Sequence, residues 1–244
     1  MKLHVYKNKT ELASELANWI AELIQSTLQN QEFFTLALSG GETPKALFKE
    51  LASPGFKEKI NWKRVEIFWG DERAVPPGDN RNNAKAAYDL FIDHIDIPAE
   101  QVHIIRTDIE PIFAAKAYEK ILHTFFDNTK KSFDLVLLGI GDDGHTLSIF
   151  PGSALLEDTE KNWVNAVYQQ DQQMYRITLT PAIVNCSSNI AFMVEGSGKA
   201  KILKEVIEGA YTPSILPAQL IRPENGELHW FLDTESAKEL STDN

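Results

Sequence analysis

Short apolar runs alternate with amphipathic stretches along almost the whole chain. "LHVY" (3–6) reads as a strand. Over residues 10–29 Leu12, Leu16, Trp19, Ile20 and Leu23 recur at helical spacing, with Thr10 placed to cap the helix. "FFTLALS" (33–39) predicts a second strand, and "TPKALFKELAS" a helix with proline in its first turn. "VEIFWG" (65–70) predicts a strand, residues 71–83 a polar loop with two prolines and a glycine, and 84–95 a helix. "VHII" (102–105) fits a short strand and 111–127 a helix. "FDLVLLGI" (133–140) is apolar on both faces, as a central parallel strand is. Further strands fall at 163–169, 175–180, 189–196 and 228–233, with a short helix from Pro181 and another over 198–209. The last ten or so residues are polar and are expected to fray.

This alternation predicts an α/β fold: a doubly wound, mostly parallel sheet with helices on both faces, in a single domain spanning 1–244. In such sheets ligands bind beyond the carboxyl ends of the strands, where strand order reverses. Four loops, "SGGETP", "GDER", "GIGDDGH" and "EGSGK", each directly follow a predicted strand, so they are expected to converge on one rim.

Composition narrows the function classes. The 244 residues are 43% hydrophobic and 24% charged, ordinary for a soluble globular protein. A net charge of −11 disfavours nucleic acid as a partner, because phosphate backbones demand positive charge. The lone Cys186 excludes an intramolecular disulfide and reads as a small buried apolar residue. No Cys/His cluster has zinc-ligand spacing, so no metal is expected. The N-terminal stretch is amphipathic and interrupted by acids, unlike a signal peptide, and no apolar run approaches the roughly 20 residues that span a bilayer. A cytoplasmic monomer without membrane contact is the expectation.

The candidate chemistry lies in the loops. "GIGDDG" (139–144) matches the dinucleotide fingerprint literally. However, Asp142 and Asp143 would set carboxylates against a pyrophosphate, and Pro151-Gly152 breaks the chain before a long helix can form. Asp143 and His145 just after a central strand suit acid/base work: the imidazole accepts a proton near neutral pH, and a carboxylate orients it. The bland alternative is a histidine that caps a turn. Gly40, Gly41 and Thr43 open a helix and suit an anion, or form only an N-cap turn. In "GDER", Arg73 suits a phosphate or carboxylate, and Asp71 or Glu72 suits sugar hydroxyls; the triplet also reads as a solvated charge cluster. Arg176 stands in a strand among apolar neighbours, and Lys199 opposes a helix dipole unless an anion is bound.

"SGGETP", "WGDERAVP", "GIGDDGHTLSIFPG", "YRITLT" and "GSGKA", in this order, resemble the 6-phosphogluconolactonases over nearly the whole chain from residue 33 on. The long "DGHT…FPG" block is the specific part. The related glucosamine-6-phosphate deaminases carry a glutamate five residues after the histidine, where this chain has Phe150, and usually an aromatic where it has Arg73. Leu147 and Ile149 replace the commoner alanine and leucine, and Asn82 replaces a serine. The resemblance implies hydrolysis of 6-phospho-D-glucono-1,5-lactone, a phosphorylated sugar lactone, without a cofactor. By the same resemblance His145 acts as base, Asp143 orients it, and Arg73 or backbone N–H groups near Gly141 stabilise the oxyanion. Gly40, Gly41, Thr43, Arg176 and Lys199 take the phosphate, with Asp71 and Asn83 as further substrate contacts. The alternatives are an amino-sugar-phosphate isomerase/deaminase and a non-catalytic sugar-phosphate-binding module.

Overall fold

The computed structural model describes residues 1–127, 130–156 and 162–241. Six strands form an all-parallel sheet in the order β1-β9-β8-β5-β2-β3: β1 (Lys2–Tyr6), β2 (Phe34–Leu38), β3 (Val65–Trp69), β5 (Leu135–Leu138), β8 (Asn189–Val194) and β9 (Glu227–Asp233). β3 and β5 are buried along their whole length; β5 therefore reads as an unbroken apolar run, and β3 as one interrupted only by Glu66, whose carboxylate pairs with His103 Nε2 at 2.6 Å. Three further strands, β4 (Asp71–Arg73), β6 (Val164–Gln169) and β7 (Met174–Leu179), form a separate antiparallel sheet in the order β4-β7-β6. One continuous hydrophobic core runs from Leu12 on the first helix, through Ile177 and Leu179 of the small sheet, to Leu232 on β9.

The helices are α1 (Lys9–Thr27), α2 (Pro44–Leu51), α3 (Pro54–Lys57), α4 (Asn83–Leu90), α5 (Pro111–Phe126), α6 (Pro181–Val184), α7 (Ala200–Glu208) and α8 (Thr234–Ala237). α1 buries Leu12, Leu16, Ile20 and Ile24, one per turn, as the apolar spacing predicts.

Several expectations are corrected. Asn8, not Thr10, caps α1: its side chain accepts from the N–H groups of Thr10 and Glu11 at 3.0 Å. The polar stretch after β3 opens as strand β4, whose backbone pairs with β7 although its side chains are all charged. The strand expected at 102–105 is reduced to a single bridge between Val102 and Ile67. The helix expected over 84–95 ends at Leu90, because Phe91 turns to φ −144° to reach the core. Cys186 is half-buried, its thiol donating to the Ala182 carbonyl at 3.3 Å. The C-terminal stretch is not frayed at its start: Asp233 caps α8, accepting from Ser236 N at 2.8 Å, and Ser236 is buried. The fraying expected at 242–244 lies outside the described residues. Among the described residues no helix is long and apolar enough to cross a membrane.

Candidate active site

Strand order reverses between β2 and β5, which themselves pair in parallel. From β2 the sheet grows outward to β3; from β5 it grows the other way to β8, β9 and β1. The loops leaving the carboxyl ends of these two neighbours, Ser39–Gly41 and Gly139–Gly141, face each other across a cleft of about 320 Å³. Asp71 and Arg73 of β4, Arg176 of β7, His145 and Lys199 also line it. The four loops picked out in the sequence thus meet at one place; "GDER" does so as strand β4 of the small sheet, whose β7 adds Arg176.

The loop after β5 is a compact turn held by its own backbone. Gly141 N–H donates to the His145 carbonyl at 2.8 Å, and Gly144 N–H donates to the Gly141 carbonyl at 3.1 Å. The Thr146 hydroxyl donates to the Gly139 carbonyl at 2.8 Å. Within this turn His145 Nδ1 lies 2.5 Å from Asp143 Oδ1, which also accepts the His145 backbone N–H at 3.1 Å. A carboxylate on Nδ1 selects the tautomer protonated there and leaves Nε2 as the basic atom. Burial by itself would raise the Asp143 pKa, but the hydrogen bonds from His145 outweigh it and hold the carboxyl below its ordinary value. The imidazole packs on Phe150, ring centres 4.3 Å apart, and its side chain stays 29% exposed, so solvent can reach it.

The small sheet contributes charge. Arg73 and Arg176 are direct partners across the β4/β7 ladder. Each carries a buried Nε–H with no partner among the described residues. Arg73 also donates from Nη1 to the Arg81 carbonyl at 2.8 Å. Burial pushes the Arg176 guanidinium below its usual pKa, Asp71 opposing and Arg73 adding to the effect. Two adjacent guanidinium groups with unsatisfied donors suit an anion. Asp71 lies 3.9 Å from Arg176 Nη1 and accepts the Ser148 hydroxyl at 2.6 Å.

Behind this wall Glu72 is fully packed away. Its carboxylate accepts the N–H groups of Arg73, Asn83 and Ala84 at 2.7–2.8 Å, tying both ends of the 74–82 loop together and capping α4. Burial pushes its pKa up to about 7 against the pull of those three donors. Asn83 does not stand on the cleft wall. Its amide donates to the Asp71 carbonyl at 2.9 Å, and it fills the space a side chain at Gly40 would need, 2.1 Å from that glycine's added Cβ. Asn82 caps α4 by accepting from Lys85 N at 2.8 Å. Lys199 resolves its conflict with the helix dipole inside the protein: Nζ donates to the Ile140 carbonyl at 2.8 Å and pairs with Asp142 at 2.6 Å.

Gly40, Gly41, Thr43, Asp71, Arg73, His145, Arg176 and Lys199 therefore line one cleft, Asp143 stands directly behind His145, and Asn83 supports from the rear. Sequence reasoning missed Ser148, Thr178 and the capping role of Glu72. "DGHTLS" advertises Ser148 only as a small residue in a conspicuous loop; its partner Asp71 lies 77 residues away. Among the described residues no group of three or more His, Cys, Asp or Glu side chains is arranged to hold a metal ion.

The family model described as glucosamine-6-phosphate isomerases/6-phosphogluconolactonase matches residues 7–230. A 6-phosphogluconolactonase of Nostoc sp. is 36% identical over 243 residues, 98% of either chain. One of Haemophilus influenzae is 40% identical over 203 residues, 83% of this chain and 86% of that one. The solved structure of the 6-phosphogluconolactonase of Trypanosoma brucei superimposes with a TM-score of 0.85 at 28% identity, covering 98% of each chain.

Proposed function

The chain belongs to the family of glucosamine-6-phosphate isomerases and 6-phosphogluconolactonases, and from that premise we propose how its cleft hydrolyses 6-phospho-D-glucono-1,5-lactone to 6-phosphogluconate. The observation that carries the assignment of roles is the His145–Asp143 pair, 2.5 Å apart, in the same cleft as the cations Arg73, Arg176 and Lys199. A lactone is an activated ester, so one positioned base and a water suffice. His145 Nε2 takes a proton from the water as its oxygen attacks C1. Asp143, held ionised, stabilises the imidazolium that forms. When the C1–ring oxygen bond breaks, the imidazolium returns the proton to that oxygen, and the new carboxylic acid loses its proton to solvent.

The intermediate's oxyanion needs donors. Gly141 N–H is already spent on the His145 carbonyl at 2.8 Å, and the role is assigned to Arg73, which lines the same cleft as His145. Gly40, Gly41 and Thr43 at the start of α2 take the phosphate together with Arg176 and Lys199, which fixes the carbonyl beside the base. Asp71 bonds a sugar hydroxyl, and Asn83 holds Gly40 in place from behind. We further infer that the 244 residues act as one unit, a cytoplasmic monomer without nucleic-acid or membrane partners, in keeping with the net charge of −11.

His145→Ala tests the base. With lactone hydrolysis followed above the spontaneous rate, its kcat is expected to fall about 10²–10⁴-fold. Lys199→Ala is expected to raise KM more than it lowers kcat. Near-normal turnover by the histidine variant removes the base assignment. Ammonia release from glucosamine 6-phosphate in place of lactone hydrolysis would assign the cleft to the deaminase branch instead.

A further inference from the structure

We propose that Ser148 is a positioning residue for substrate binding: its hydroxyl holds the Asp71 carboxylate away from Arg176 and so keeps that guanidinium free for the substrate's phosphate. The inference rests on the reading above and names a device within that site.

The geometry is specific. A carboxylate and a guanidinium left to themselves close to about 2.7–2.9 Å, usually through two parallel hydrogen bonds. Asp71 Oδ2 and Arg176 Nη1 stop at 3.9 Å although both side chains are buried. The same Oδ2 accepts the Ser148 hydroxyl at 2.6 Å. On the other side Arg176 donates from Nη2 to Gln172 Oε1, so the guanidinium is drawn away from Asp71 while Ser148 draws the carboxylate away from it. The Nε–H of Arg176 stays without a partner among the described residues.

Ser148 is fixed for this task independently of its hydroxyl. Its backbone N–H donates to Thr178 Oγ1 at 3.1 Å, and Thr178 is the residue directly opposite Asp71 on the β4/β7 ladder. The loop that carries His145 is therefore docked on the Asp71–Thr178 rung through the backbone, and the hydroxyl is left to act on Asp71 alone. Ser148 is fully buried, which removes it as a nucleophile, and among the described residues its hydroxyl has the Asp71 carboxylate as its one side-chain partner. Without the hydroxyl, Asp71 Oδ2 loses its donor, and the Arg176 guanidinium stands 3.9 Å away to replace it. A direct ion pair there would compete with the substrate's phosphate for the same N–H groups.

The test is a double-mutant cycle of Ser148→Ala and Asp71→Asn, read by kcat, KM and inhibition by inorganic phosphate. Ser148→Ala is expected to raise KM and the phosphate inhibition constant about tenfold, with kcat within about twofold of the parent and the pH dependence of kcat unchanged. In the Asp71→Asn background, where no charged competitor remains, the same serine change is expected to alter the phosphate inhibition constant less than twofold. Ser148→Cys, which keeps the volume but donates weakly, is expected to fall between serine and alanine; a cysteine variant no better than alanine counts against the hydroxyl. A serine effect of equal size in both backgrounds, or one that lowers kcat and leaves phosphate inhibition alone, overturns the proposal. Failure of the parent protein to hydrolyse the lactone would instead overturn the reading it rests on.

Discussion

Gly141 has no room for a methyl group: an added Cβ would lie 2.0 Å from His145 Nδ1 and 2.6 Å from Asp143 Oδ1. Its place in the fold is thus set by the His145–Asp143 pair rather than by backbone freedom. Gly141→Ala is expected to push the ring off Asp143 and lower kcat at least tenfold while the far-ultraviolet circular dichroism stays that of the parent; unchanged kcat would show that the turn absorbs the methyl elsewhere. Asp143 and His145 were legible because both partners sit two residues apart at the end of a recognisable strand. Glu72 and Ser148 were not. Their roles depend on Asn83, 11 residues on, and on Asp71, 77 residues back. A local pattern gives the residue type at such positions but not the group it will meet. Lys199 shows the reverse: the dipole argument implied an anion beside it, and the anion the structure sets there is the exposed side chain of Asp142.

At the scale of elements, the edge of the large sheet holds a pair that the sequence does not mark. β1 and β9 set His4 beside His229, whose nearest ring nitrogens are 3.1 Å apart, and Trp19 and Phe231 pack around them. Burial, reinforced by His4, pushes the His229 pKa down to about 4, with Glu227 opposing and Lys2 adding to the depression. The folded state then binds fewer protons than the unfolded one between about pH 4 and the ordinary histidine value near 6.5. The contribution to stability is complete above pH 6.5 and is lost as pH falls, amounting to about 2 kcal/mol at pH 5. Melting temperature is expected to drop between pH 7 and 5, and to drop distinctly less in His229→Phe, which keeps the ring stack; parallel curves for the two proteins would refute the linkage. Element assignment from the sequence succeeded where the apolar signal was strong, as in the helical periodicity of α1 and the unbroken apolar run of β5. It failed at β4, where three charged residues pair through their backbone alone, and at Val102, where one bridge replaced a strand.

Across the whole molecule, one core joins both sheets and includes Phe192, fully buried and stacked 4.0 Å from Trp230. Phe192→Ala is expected to cost about 3–5 kcal/mol. Both it and the parent should unfold in one transition, superimposable by tryptophan fluorescence and circular dichroism; two separated transitions would mean that the small sheet is an independent unit. The sequence by itself determined the alternating strands and helices, the parallel sheet they imply and the loop that pairs Asp143 with His145, because each of these follows from periodicity and neighbours within a few residues. Only the tertiary structure decided that "DER" is a strand of a second sheet, that Arg73 and Arg176 stand side by side, and that Asn83, Glu72 and Ser148 hold the site from behind. The physical reason is burial. Once water is removed, each polar group must find its partner among whatever the fold brings near, and that choice is made across distances in the chain that no local pattern records.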